Sequence, residues 1–433
     1  MLGSAFFCNI GTLISGDIRQ PILHASSVYV EDGVIREIGT QRQADIVIDV
    51  RGATLAPGLW DAHHHPYFGE YSPRQEIFNT MAKTVRAGTT SVVSAGSGHQ
   101  PGMYLPSESL PNVQAHAFSR RLDPARARDA IGTKALAIVM RKSWQSFRPH
   151  GIKCYAGTVI AEDGLTADDF AEMAEAGIQR VKFIRPVSSV KDCERYRQWA
   201  HDHGMLTMTH TGNRSLIKEI ESIGESLRVI RPDAALHVNG GPTPAPPEDV
   251  DWIVRETPAT LDLVFIGNMP LARRVLECVR ERDELHRVVI GSDLPGGSGY
   301  VPGAILRTVA LLSHLTDIPV AQLICMATGN TARNFGLPGG LIEPGQPADL
   351  VAWDPVDGSV TDEFLECVEY GDRPYPGLIM IDGEIVEHGN PLLLDPKRTP
   401  TVTRSPSPRE AHLFPSPLSQ AWERGSAFRL SRE

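Results

Sequence analysis

The sequence is short of three things, and each shortage removes a class of protein. Its six cysteines in 433 residues, Cys8, Cys154, Cys193, Cys278, Cys325 and Cys367, are scattered and form no Cys-x-x-Cys pair, which argues against a disulfide framework and against a thiolate zinc site. They read as reduced thiols of a cytoplasmic protein. No apolar run approaches the ~20 residues that span a bilayer, and Met1-Leu2-Gly3-Ser4-Ala5-Phe6-Phe7 has neither a basic start nor a full apolar core. No membrane partner is expected. Positive charge is scarce, with a formal net charge of −10, so a nucleic-acid partner, which needs a basic patch, is not expected either. What is present, 22% charged and 41% hydrophobic residues, suits a soluble globular protein with ample core.

Organisation follows from the rhythm of the chain. Residues 27–30 and 34–38 are β-prone runs divided by Glu31-Asp32-Gly33, a hairpin signal. The same rhythm returns late, in runs 349–354, 378–381 and 384–386 with Asp382-Gly383 between the last two. A small β-sandwich domain built from both termini, residues 1–56 and 340–396, is therefore expected. Between them, 57–339 alternates strands with helices: the run 53–56 before Asp61, then 89–94, 152–155, 181–184, 206–210, 235–238, 261–266 and 288–293. A helix is expected over 166–176, with Phe170, Met173 and Ala174 at helical spacing. Eight such units predict an α/β fold, a (β/α)8 TIM-type barrel, with its chemistry at the C-terminal ends of the strands. Residues 397–433 carry Ser-Pro pairs and seven Lys/Arg against three Asp/Glu, which predicts a disordered tail.

The stretch Gly58-Leu59-Trp60-Asp61-Ala62-His63-His64-His65-Pro66 follows the first strand-like run. Alternation places His63 and His65 on one face, as half of a metal site, and turns His64 the other way as support. Taken alone, three histidines also fit a solvated loop. Their company favours ligation: Lys182 lies in the fourth run, His210 ends the fifth, His237 is in the sixth and Asp293 closes the eighth. Four imidazoles and a carboxylate suit zinc or iron(II) better than magnesium or calcium. Two metals need a bridge, and Lys182 can supply one if its amine takes up carbon dioxide as a carbamate. A lysine snorkelling to solvent or pairing with an acid fits Lys182 equally, and Lys153 competes for the bridging role. Tyr71, Arg74, Gln75 and His99 follow the first two strands and offer substrate contacts, with Arg74 suited to a carboxylate. Asn239 and Asn268 offer polar contacts or turn chemistry.

These residues carry a resemblance. The stretch 58–65, His210, His237, Gly291-Ser292-Asp293 and Gly339-Gly340-Leu341-Ile342-Glu343-Pro344-Gly345-Gln346-Pro347-Ala348-Asp349-Leu350 resemble the amidohydrolase superfamily over roughly residues 9 to 390. The resemblance implies two divalent metal ions, with His63, His65 and Asp293 on one, His210 and His237 on the other, and Lys182 between them. It also implies a small-molecule substrate, hydrolysis of a C–N bond with Asp293 as general base, and a homo-oligomer. Gly69-Glu70-Tyr71-Ser72-Pro73-Arg74-Gln75, His210-Thr211-Gly212 and His237-Val238-Asn239-Gly240-Gly241-Pro242-Thr243 are similar to the enamidases, which open cyclic enamides. Lys182 departs from them, since the enamidases carry a glutamate near that place. A carboxylated lysine bridges metals in the same way in dihydroorotases and hydantoinases. A one-metal deaminase, a linear N-acyl amidohydrolase and a catalytically retired binding protein are the alternatives.

Overall fold

Two Asp-Gly turns bracket the chain, and both are left-handed at each central residue. Asp32 (φ 50°) and Gly33 (φ 78°) join the antiparallel strands Val28–Glu31 and Val34–Ile38. Asp382 (φ 49°) and Gly383 (φ 79°) join Tyr375–Ile381 and Glu384–His388. Positive φ at both positions matches the twist of the flanking strands, which is why aspartate and glycine stand there. The computed structural model describes residues 3–66, 74–96, 132–212, 214–241, 243–295, 299–389, 394 and 396–404, with the side chains of 74–79 left aside.

The two hairpins belong to different sheets. One sheet orders Thr401–Arg404, Ile46–Asp49, Ser4–Cys8, Val28–Glu31 and Val34–Ile38. The other orders Glu384–His388, Tyr375–Ile381, Leu350–Asp354, Thr54–Pro57, Thr12–Ile14 and Ile22–Leu23. They share a core that includes Phe7, Leu13, Ile48, Leu55, Leu350 and Met380. Two expectations change here. The run at 53–56 does not lead the parallel sheet: Thr54–Pro57 pairs with Leu350–Asp354, and the parallel strand is the next one, Leu59–His64. The expected tail loses its first residues, because Thr401–Arg404 completes a ladder on Ile46–Asp49. Residues 405–433 lie outside the described residues.

The middle of the chain is α/β. Leu59–His64, Thr89–Ser94 and Lys153–Tyr155 form one parallel sheet. Thr158–Ile160, Arg180–Phe183, Leu206–His210, Ala234–Leu236, Thr260–Val264 and Val288–Gly291 form another. At one junction the backbone breaks at Gly157 (φ 127°), and Arg180 fills the gap. Its fully buried guanidinium donates from Nη2 to the Tyr155 carbonyl (2.6 Å) and from Nε to Thr158 Oγ1 (3.0 Å). Those bonds satisfy a carbonyl that the interrupted ladder leaves over. At the other junction Asp293 N donates to His63 O (2.8 Å) and His65 N to Leu294 O (2.9 Å). The helix expected at 166–176 runs over Ala167–Glu175 with Thr166 as N-cap in a reciprocal capping box with Asp169, and it buries Phe170 and Met173.

A salt-bridged seam ties the parallel body to the antiparallel sheets. Lys153 Nζ reaches Asp349 Oδ2 and Asp382 Oδ1, both at 2.6 Å, and Arg148 joins Asp382 at 2.8 Å. All six cysteines are free thiols. Among the described residues no helix is long and apolar enough to cross a membrane.

Candidate metal centre

His63 is the second-last residue of its strand and fully buried, and its neighbours fix which nitrogen is free. Asp262 Oδ2 lies 2.7 Å from His63 Nδ1, so Nδ1 carries the proton and Nε2 presents its lone pair. That lone pair faces Asp293 Oδ1 (3.3 Å) and Lys182 Nζ (3.4 Å). His65, one step past the strand, is set the same way. Its Nδ1 lies 2.8 Å from the Gly96 carbonyl, which can only accept. His65 Nε2 then points at Asp293 Oδ1, 2.9 Å away. His63, His65 and Asp293 bring one ligand atom each within 4.8 Å of one another.

The other two histidines make a second pair. His210, the last residue of Leu206–His210, and His237, just beyond Ala234–Leu236, face each other with Nδ1 to Nε2 at 2.9 Å and ring centroids 4.4 Å apart. The His63 and His237 rings are 5.3 Å apart, so the two groups adjoin. His237 (φ 37°) and Asp293 (φ 59°) both sit in the left-handed region, a strained choice for side-chain-bearing residues that concentrates at functional sites. Five residues from four strand ends thus converge.

Electrostatics favour neutral imidazoles around an ionised carboxylate. Burial pushes His63 and His210 well below the usual histidine range, and His237 down to about 3. Burial works to raise the Asp293 carboxyl, but the surrounding imidazoles of His63, His65 and His237 outweigh it and hold the group below the usual carboxylate range. Burial lowers Lys182 to about 8, against the opposing pull of Asp293 and Asp262. The donor set fits a cation. His65 Nδ1 is held by the Gly96 carbonyl and its Nε2 meets the Asp293 carboxylate at 2.9 Å, a facing pair of ligand atoms of the kind a divalent ion takes up. Two imidazole nitrogens and a carboxylate oxygen are ligands of zinc and iron.

The remaining expected residues fall out unevenly. Lys153 is committed to Asp349 and Asp382, which removes it as a rival to Lys182. His64 is buried, with Nδ1 3.2 Å from Asp61 Oδ2. Asn239 is buried and turns its amide to the Val264 backbone, donating to the carbonyl (3.0 Å) and accepting from the N–H (2.9 Å). Asn268 caps Met269–Glu281 by accepting from Leu271 N. Asn239 thus spends its whole amide on backbone, and the exposed Asn268 its side-chain oxygen alone. Arg74 opens the helix Arg74–Arg86, while its side chain and that of Gln75, together with Tyr71 and His99, lie outside the described residues.

Two residues escape the sequence reading. Asp262 holds His63 from inside Thr260–Val264. Asp61 accepts from the Ser292 N–H (2.8 Å) and the His63 N–H (3.1 Å), fixing the loop that carries Asp293. The signal for Asp262 was an acid inside an apolar strand, where a charge must find partners.

The amidohydrolase family profile matches residues 54–386. The chain belongs to the amidohydrolase family. Enamidase of Eubacterium barkeri is 36% identical over 385 residues, which cover 87% of this chain and 94% of that protein. The crystal structure of enamidase matches with a TM-score of 0.80 and 35% identity, over 92% of this chain and 100% of that one. A 5'-deoxyadenosine deaminase of Methanosarcina mazei is 22% identical over 380 residues, 78% of this chain and 81% of that protein. In sequence and fold the protein is an enamidase-like amidohydrolase.

Proposed function

We propose that this amidohydrolase cleaves the C–N bond of a small cyclic amide or enamide with divalent metal held at the converged histidines. The observation that carries the reading is the convergence of His63, His65 and Asp293, whose ligand atoms lie within 4.8 Å of one another, in a chain 36% identical to an enamidase. His63, His65 and Asp293 would hold one ion, His210 and His237 a second, with a carboxylated Lys182 between them. Bound there, zinc or iron supplies Lewis acidity and a water acidified toward neutral pH.

The protein's own groups do the rest. Asp293 makes its contacts to His63 and His65 through Oδ1, while Oδ2 faces Gly241. Oδ2 is the atom that takes a proton from the attacking water and passes it to the leaving nitrogen. Lys182 has no carboxylate within ion-pairing distance among the described residues, and its lowered basicity leaves more of the amine free to react with carbon dioxide. Tyr71, Arg74 and His99 are proposed to receive the substrate, Arg74 through a carboxylate. Support for a cytoplasmic enzyme comes from six free thiols. The bonds joining His63 to Asp293 and His65 to Leu294 support closure of both parallel sheets into one (β/α)8 barrel spanning 57–339. A homo-oligomer completes the proposal.

The test is a hydrolysis screen of cyclic amides, including tetrahydropyridone carboxylates and hydantoins, on metal-quantified protein. Ring opening at about two metals per chain is expected. One metal per chain with deamination of an aminopurine would replace this reading with that of a one-metal deaminase, the activity named for the Methanosarcina relative.

A further inference from the structure

Asp262 lies fully buried in the middle of Thr260–Val264, a strand whose residues are all buried. Only one of its oxygens is used. Oδ2 accepts from His63 Nδ1 (2.7 Å) and from the backbone N–H of His237 (2.9 Å). Oδ1 is enclosed without a hydrogen-bond partner, in a space kept open by Gly291, where a Cβ would come within 2.8 Å of it. The two groups that Oδ2 holds belong to different halves of the centre. His63 is grouped with His65 and Asp293, and His237 faces His210.

We infer that Asp262 is a positioning residue that couples the two metal positions through a single carboxylate oxygen. On the His63 side it fixes the ring proton on Nδ1, so that Nε2 is the ligand atom. On the His237 side it anchors the backbone where the chain turns left-handed (φ 37°), which sets the ring against His210. Moving Oδ2 therefore displaces a ligand of each position at once. A carboxylate supporting only His63 would leave the second position untouched. The enclosed Oδ1 has no hydrogen bond of its own, so no competing contact draws Oδ2 off its two partners.

This inference rests on the two-metal reading, and its test separates the two. Metal stoichiometry and affinity are measured by chelator competition on wild type, Asp262→Ala and Asp262→Asn, alongside 15N spectra of the His63 ring in the metal-free proteins. Both positions are expected to weaken together by about 10- to 100-fold in Asp262→Ala, with His63 changing from one ring tautomer to a mixture. Asp262→Asn, which retains an acceptor oxygen, is expected to restore the single tautomer and recover part of both affinities. It decides the matter if the alanine variant does not fold. Wild type that binds no metal overturns the functional reading and the coupling with it. Wild type with two metals, and variants that lose neither or only the His63 position, overturns the coupling alone.

Discussion

Lys182 and Lys153 stand on nearby strands of the parallel body, and the molecule uses them in opposite ways. Lys153 sits at the seam with two carboxylates at 2.6 Å. Lys182 sits among imidazoles, 3.4 Å from His63 Nε2, and burial lowers it to about 8. One amine is tied to two carboxylates, and the other is buried beside a histidine ring. Residue type did not separate them; the acids within reach did.

The sharpest way to break that contrast is to remove the base from the mouth. Asp293→Asn is expected to keep the fold and much of the metal while lowering kcat by about 10^2- to 10^4-fold; turnover near that of wild type would end its assignment. Exchange of the two lysines should come next. Lys182→Ala is expected to empty the centre of most of its metal with little change in melting temperature. Lys153→Ala should keep the metal and lose about 3 kcal/mol of stability, because Asp349 is left buried without its cation. Metal loss in the Lys153 variant, read by elemental analysis, would invert the comparison. Labelling with 13C-bicarbonate sharpens it, since a carbamate resonance is expected in wild type and in Lys153→Ala but not in Lys182→Ala. The smallest effect belongs to a site remote from both lysines: Thr166→Ala removes the cap of Ala167–Glu175 and should cost about 1 kcal/mol by denaturant unfolding.

Local chemistry made much of this legible in advance. Asp32-Gly33 and Asp382-Gly383 announced hairpins because few residues tolerate two positive φ values in succession. Alternation put His63 and His65 on one face, where both rings reach Asp293, and Thr166 to Asp169 announced a helix start. What stayed hidden depends on contacts distant in sequence. The tie between Lys153 and Lys182 is broken by Asp349 and Asp382, roughly 200 positions away, through the seam. Thr54–Pro57 and Leu59–His64 read as one apolar stretch, yet Gly58 separates strands of two different sheets. Asn239 resembled a mouth residue until the Val264 backbone proved to hold its amide. Asp262 passed unnoticed because a buried acid inside a strand gives no spacing motif, only an unexplained charge.

The interleaved sheets also set a timetable for synthesis. Thr54–Pro57 finds its antiparallel neighbour in Leu350–Asp354, and Ile46–Asp49 gains Thr401–Arg404 on its edge. At ~5 to 20 residues per second the ribosome needs roughly 15 to 60 s to deliver the first of those partners. Through that interval the nascent chain carries β-strands with unpaired edges, open to pairing with a neighbouring polypeptide. A chaperone that shelters the amino-terminal segment during translation should therefore raise the yield of active protein more than one added after release.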